Sequence, residues 1–245
     1  MVALLLCALL LSMTGLAKSD EEKGANPGVL PPQANAYGAS YSEWAAKWWR
    51  WAASFPIDAN PAVDETGQYA ALGQSGDVWF LVDIGPGMLG PDDAITRTCD
   101  IPVGKALFFP IWNVIWCTVP GVDCPAGQDP LEWFLGNEGW IRELMGSETV
   151  QMVSCEIDGR MVQNLDLYHV QSPVFSMDLP QDNVLGAEPG EYTACMSDGM
   201  YLTLAPLSVG HHTIHSHAVL EWPFFPGSHH YVDVTYQLTV IPAAK

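Results

Sequence analysis

Residues Tyr41 to Phe55, YSEWAAKWWRWAASF, place four of the chain's ten tryptophans within eight positions. Ser40 followed three residues later by Glu43 is a capping-box start, and Pro56 predicts a helix end at Phe55. At helical spacing Tyr41, Trp44, Trp48, Trp51 and Phe55 fall on one stripe, which Ala45, Ala52 and Trp49 widen. Glu43, Lys47 and Arg50 share the opposite face, with Glu43 and Lys47 at favourable i,i+4 spacing. No isolated helix shelters so much indole from water. The rest of the chain must therefore cover it, and that remainder reads as mostly β.

The downstream segments support this. Asp77–Asp83, Cys99–Pro102 and Lys105–Trp112 read as strands, with Pro110 marking an edge, an end or a bulge. Asp129-Pro130-Leu131-Glu132 opens a second helix running to about Met145. Then come Thr149–Ile157 and Arg160–Val162 around an Asp158-Gly159 hairpin turn, followed by Leu167–Met177, Gly199–Leu204, His212–Leu220 and Tyr231–Val240. In the last of these Val232, Val234, Tyr236, Leu238 and Val240 alternate with Asp233, Thr235, Gln237 and Thr239, which predicts one buried face. The fold class is mainly β with two helices (about 41–55 and 130–145). It is a single β-sandwich or jelly-roll-like domain over 37–245, with the Trp-rich helix packed on it.

With 245 residues and 49% hydrophobic content the chain can bury a real core. The net charge is −19, from 28 acids against nine bases. That argues against nucleic acid and anionic membrane surfaces as partners, because phosphate contacts need a basic patch. Residues 2–13 are a short apolar run leading to Gly15-Leu16-Ala17. This predicts a signal peptide over 1–17, a secreted or periplasmic protein of a bacterium, and no membrane insertion after cleavage. Residues 18–36, polar and dotted with Pro and Gly, read as a disordered leader.

The mature chain keeps Cys99, Cys117, Cys124, Cys155 and Cys195. Export favours disulfides. Cys117 and Cys124 bracket a Pro-Gly turn and can close a short loop, while Cys155 and Cys195 lie in or beside strands. Five is odd, so one thiol is free or pairs between chains.

In the stretches YGASYSEWAAKWWRWAASFP, GQSGDVWFL, RTCDIPVGKALFFPIWN, VQSPVFSMDLPQDNVLG, LAPLSVGHHTIH and VDVTYQLTV, the chain resembles a family of secreted bacterial proteins of uncharacterised function. These stretches run in order through most of the mature chain. The resemblance carries no activity with it. It implies a cysteine shortly before GQSG, where this chain has Tyr69 and Ala70, so that Cys99 lacks its partner here.

Histidine gives the sharpest chemical candidate. His215 and His217 share one side of a strand with Glu221 and His211. The order Gly210, His215-x-His217, Glu221, Gly227 is close to the first metal motif of cupins, in which two His and one Glu hold a first-row metal. His229 and His230, across a Pro-Gly turn, could add a ligand. Such a set suits Cu, Zn, Fe or Mn. The cupin fold itself does not fit, because only one convincing strand remains after Glu221. The competing explanation is a His-rich polar face of an outer strand, with His212 or His230 satisfied in the core.

Tryptophans offer a second candidate, since indole faces stack on pyranose rings. Trp44, Trp48 and Trp51 read as core. Trp49, off the main stripe, and Trp112, Trp116 and Trp222, near loops or strand ends, are the platform candidates. Arg97 and Lys105 stand out among scarce bases, either paired with a buried acid such as Glu43 or clamping an anionic ligand. Asp58, Asp64, Glu65, Asp92 and Asp93 sit in loops without calcium-loop spacing. No G-x-S-x-G, H-E-x-x-H or phosphate loop is present. The reading is an exported acidic protein that binds a small-molecule or glycan ligand or a surface component. The alternatives are a metal-dependent oxidoreductase or lyase on the histidine strand, and a structural cell-envelope protein. Oligomeric state is not legible in the sequence.

Overall fold

The computed structural model describes residues 26–83, 89–147, 149–221 and 227–242. The expected signal peptide (1–17) lies outside them, as does Trp222.

The first helix, α1, spans Tyr41–Ala52 and opens with the expected capping box: the Glu43 N–H donates to Ser40 Oγ, and the Ser40 N–H to Glu43 Oε2 at 2.7 Å. It ends three residues short of Phe55. The Ala53 N–H still closes onto the Trp49 carbonyl, but Ser54 turns its N–H and hydroxyl back on the Trp51 carbonyl. Phe55, freed from the helix, packs edge-on against Trp51 at 5.9 Å.

The described residues form ten strands in two five-stranded sheets. The first holds β1 (Val78–Phe80), β3 (Ala106–Cys117), β8 (Gly190–Leu204), β6 (His169–Gln171) and β7 (Phe175–Leu179), with β6 and β7 both pairing β8. In the second, the order is β2 (Ile95–Pro102), β10 (His229–Ile241), β9 (Gly210–Glu221), β4 (Thr149–Ile157) and β5 (Arg160–Met161). Two pairings are parallel, β1 with β3 and β2 with β10. The chain crosses between sheets to make them, as parallel neighbours require.

The expected alternation holds in β10, whose even-numbered residues from His230 to Val240 are buried. Asp158 (φ 48°) and Gly159 (φ 74°) form the turn of the β4–β5 hairpin, both left-handed as that turn demands. Pro110 sits at a bulge, where the β3–β8 register shifts between Pro110 and Trp112. The single strand expected over Leu167–Met177 is instead a 3-10 turn, β6 and β7, interrupted at Ser172-Pro173-Val174, since proline cannot donate to a ladder. The strand at Gly199–Leu204 begins nine residues earlier than expected, at Gly190.

α1 lies on the first sheet. Trp48 meets Tyr201 at 6.4 Å, and Tyr41 meets Phe108 at 6.2 Å. The second helix, α2 (Pro130–Met145), starts where expected, the Glu132 N–H donating to Asp129 Oδ1. It buries Phe134, Ile141 and Met145 against Val114, Ala194 and Met196. Tyr201 on one side and Ala194 and Met196 on the other alternate along β8, so the two helices use opposite faces of that strand. No described helix is long and apolar enough to cross a membrane.

Residues 26–36, part of the segment expected to be a disordered leader, are tied down. Val29 bridges Leu204, the Leu30 N–H donates to the Thr203 carbonyl at 2.8 Å, and Asn26 bonds Gln163. The cysteines are also corrected. Cys117 pairs with Cys195 across the adjacent strands β3 and β8, and not with Cys124. Cys99, Cys124 and Cys155 are free buried thiols, so three of the five are unpaired where one was expected.

Candidate functional site

The histidine strand divides by alternation. His211, His215, His217 and Glu221 lie on the outer face of β9, as expected, and His229 of β10 stands opposite Glu221 on that face. His230 is one residue out of phase and buried among the inward side chains, and burial lowers its pKa. It therefore cannot join its neighbours as a ligand. At about 3.3 Å per strand residue, His211 and Glu221 lie roughly 30 Å apart along β9.

Three of these imidazoles, those of His211, His215 and His229, have local partners. His215 Nε2 and Asp233 Oδ1 are 2.8 Å apart, and His211 Nδ1 meets Thr239 Oγ1 at 3.3 Å. The Gln151 amide, at the β4 bulge, reaches both Glu221 Oε2 and His229 Nε2. Among the described residues no three His, Cys, Asp or Glu side chains are grouped so as to hold a metal ion. The His-rich polar face is the arrangement the described residues display. His212, just off it, lies 2.7 Å from Asp158 Oδ2. Desolvation pushes its pKa down, but hydrogen bonds with Asp158 and the Ser208 carbonyl raise it overall.

Of the expected tryptophan platforms, Trp49 and Trp112 are buried. Trp49 is buried beside Trp48, with ring centroids 5.2 Å apart and nearly perpendicular planes. Trp112 is 1% exposed. Trp116 packs with the α2 cluster and meets Trp140 edge-on at 6.1 Å.

Arg97 is also structural. It is 1% exposed and spends its guanidinium on backbone carbonyls: Nε on Asp64 (2.7 Å), one terminal nitrogen on Val82 and Asp83 (3.1 and 2.6 Å), the other on Ala62 (3.2 Å). It pins the turn-rich connector between α1 and β1 onto β2 and leaves nothing for a ligand. Glu43, named as a partner for it, caps α1 instead. Asp83, buried beside this cation, has its carboxyl pKa pushed up to about 8 by desolvation. The Arg97 charge and the Asn113 backbone N–H oppose that rise. Two of the loop acids, Asp64 and Asp93, serve their own loops. Asp64 accepts from Thr66 and Tyr69, and Asp93 from the Gly90 N–H. For Asp64 desolvation works upward, yet those hydrogen bonds leave its pKa lowered.

The structure also opens a groove of about 550 Å³ between α1 and the segment Gly73–Phe80. Its floor is aromatic: Trp44, Trp51, Phe55 and Phe80. Trp51 and Phe80 lie 5.4 Å apart, and Trp44 meets Phe80 edge-on at 6.0 Å. The wall comes close because Gly73, at φ +63°, lets the backbone run against Phe55. A Cβ there would sit 2.7 Å from the Phe55 ring. Lys47 stands over the floor, its ammonium 4.1 Å from the Trp44 ring centroid. Arg50 and Asp77 complete the rim, and Lys105 bonds the Gly76 carbonyl behind it. The Gln74 amide donates to the Phe80 carbonyl and accepts its N–H, closing the β1 edge to a further strand.

Of the earlier ligand-binding candidates among the described residues, only Lys105 is near this groove. Trp44, read as core, is only partly buried and lines it. Lys47 and Arg50, assigned by periodicity to the face opposite the aromatic stripe, instead line the groove with Trp44 and Trp51.

A second polar cluster also escaped the sequence. On β6, His169 and Gln171 alternate onto the same side and both reach Asp198 of β8, Gln171 Nε2 at 2.6 Å. The Asp198 side chain is fully buried while that of His169 is 39% exposed, so the carboxylate fixes the imidazole. Gln171 also bonds the Arg142 carbonyl, which locks β6 to the end of α2.

The chain was compared with protein-family models and with curated proteins, and neither comparison gave a match.

Proposed function

We propose that this is a binding protein that holds a carbohydrate in the groove beside α1, without catalysing its conversion. The observation that carries this reading is the aromatic floor of Trp44, Trp51, Phe55 and Phe80 under a rim of hydrogen-bonding side chains. Sugar rings present apolar C–H faces and polar hydroxyl edges. A floor of ring edges and faces accepts the first. Ser54, Ser75 and the charged rim can meet the second. The groove's volume is within the range of small-molecule sites. Its walls are held by Trp51 Nε1 on the Leu72 carbonyl (2.9 Å) and by the Gln74 clamp, so the site is formed before a ligand arrives.

A glycan array followed by titration calorimetry tests this. Trp44→Ala should weaken binding of the best glycan at least about tenfold, equivalent to ~1.4 kcal/mol. Ser75→Phe, which fills the groove without touching the core, should do the same. Silence across the array, or binding that ignores both substitutions, would remove the reading.

A further inference from the structure

Resting on that reading of the groove, we infer that its ligand is an anionic glycan, a chain of uronic-acid sugars whose carboxylates meet Lys47 and Arg50. The argument begins with scarcity. A chain of net charge −19 has nine basic residues, and Lys47, Arg50 and Lys105 gather at this one groove. The other bases whose contacts are described are committed elsewhere: Arg97 to backbone carbonyls inside the core, Arg142 to Glu138 at 2.8 Å.

Geometry adds to charge. The cation–π contact with Trp44 holds the Lys47 ammonium above the floor, where a sugar ring would lie. Arg50 is similarly steadied: Nε donates to the Ser176 carbonyl at 2.8 Å, and the guanidinium stacks 5.3 Å from the Phe175 ring. Both cations are therefore positioned before binding, which lowers the entropic cost of meeting a carboxylate.

Acids do face the rim. Asp77 lines it, and Glu43 lies one helical turn before Lys47. Glu43 is already bonded by Ser40, whose backbone and side chain hold its pKa down. In a chain of net charge −19, this groove is lined by two cations against one carboxylate. A neutral sugar would use these cations only as hydrogen-bond donors and would leave their charge unmatched. An isolated small anion would leave the aromatic floor unused.

The probes are oligosaccharides of galacturonate, mannuronate and glucuronate, each compared with its methyl ester, which keeps the sugar and removes the charge. Calorimetry at low and at high salt should show at least one acid form binding about tenfold or more tighter than its ester, with the gap shrinking in salt. Lys47→Gln, a surface change checked for unaltered thermal unfolding, should narrow the gap between acid and ester, and adding Arg50→Gln should close it. Equal binding of acids and esters, or of neutral glycans alone, would overturn the anionic preference and leave the groove reading standing. Binding of none of them, with an array also silent, would overturn both.

Discussion

The Tyr41 hydroxyl and the Thr203 backbone join the first turn of α1 to β8. The Thr203 N–H donates to that oxygen at 3.1 Å, and the hydroxyl donates onward to the Leu30 carbonyl at 2.8 Å. Leu30 itself bonds the Thr203 carbonyl, so helix, N-terminal segment and sheet share one knot. Burial pushes the Tyr41 pKa up to about 12, so the phenol stays protonated and can donate.

Tyr41→Phe keeps the ring against Phe108 and removes only the oxygen. It should cost about 1–3 kcal/mol, the penalty for leaving buried backbone groups unpaired. Urea unfolding reads this directly. A change within a few tenths of a kcal/mol would mean that the hydroxyl does not hold the knot.

Arg97→Met should cost about 3–5 kcal/mol, because four backbone carbonyls lose a buried charged donor at once. Arg97→Lys should recover only part, since one ammonium cannot span the same set of acceptors. Limited proteolysis of the 60–83 connector should accelerate in step with the lost stability.

Asp83 sets a pH dependence of definite sign. The unfolded chain releases this proton near 3.8, whereas the folded protein keeps it to about 8. Between those values the folded state binds more protons, so this residue's contribution to stability falls as pH rises. Asp83→Asn mimics the protonated form. It should flatten the profile across that window and exceed the parent protein in stability at its upper end. Unfolding curves over a pH series decide this, and an unchanged slope would contradict it.

Cys117 and Cys195 close a loop with a sequence separation of 78, which chain entropy values at about 4–5 kcal/mol. The paired substitution to serine should lower stability on that scale. In the native oxidised protein Cys99, Cys124 and Cys155 should resist a thiol reagent. Denaturation without reductant should expose these three. Peptide mapping of the labelled sites checks both statements.

Local pattern carried much of the architecture. The Ser40 and Asp129 caps, the Asp158-Gly159 turn and the alternation of β10 are each set by neighbours within a few residues, and each is where it was expected. Partner choice was not legible. Nothing within Ile95–Pro102 specifies parallel pairing with β10, and no spacing rule joins Cys117 to Cys195, because both depend on which strands the sandwich makes adjacent. The groove was hidden for a related reason. Periodicity assigns Trp44 and Trp51 to one buried stripe, and only the close approach of Gly73 to Phe55 shows where that stripe's cover ends. His169 and Asp198 were missed because β6 is three residues long, too short for alternation to register.

β10 lies between β2 and β9, and that position dictates an order of assembly. β2 can find no partner strand until β10 has been made, so its pairing must wait through the synthesis of nearly the whole first sheet and most of the second. Such deferred long-range closure predicts slow folding after synthesis rather than during it. In the interval an unpaired strand would be open to chaperones or to another molecule's edge.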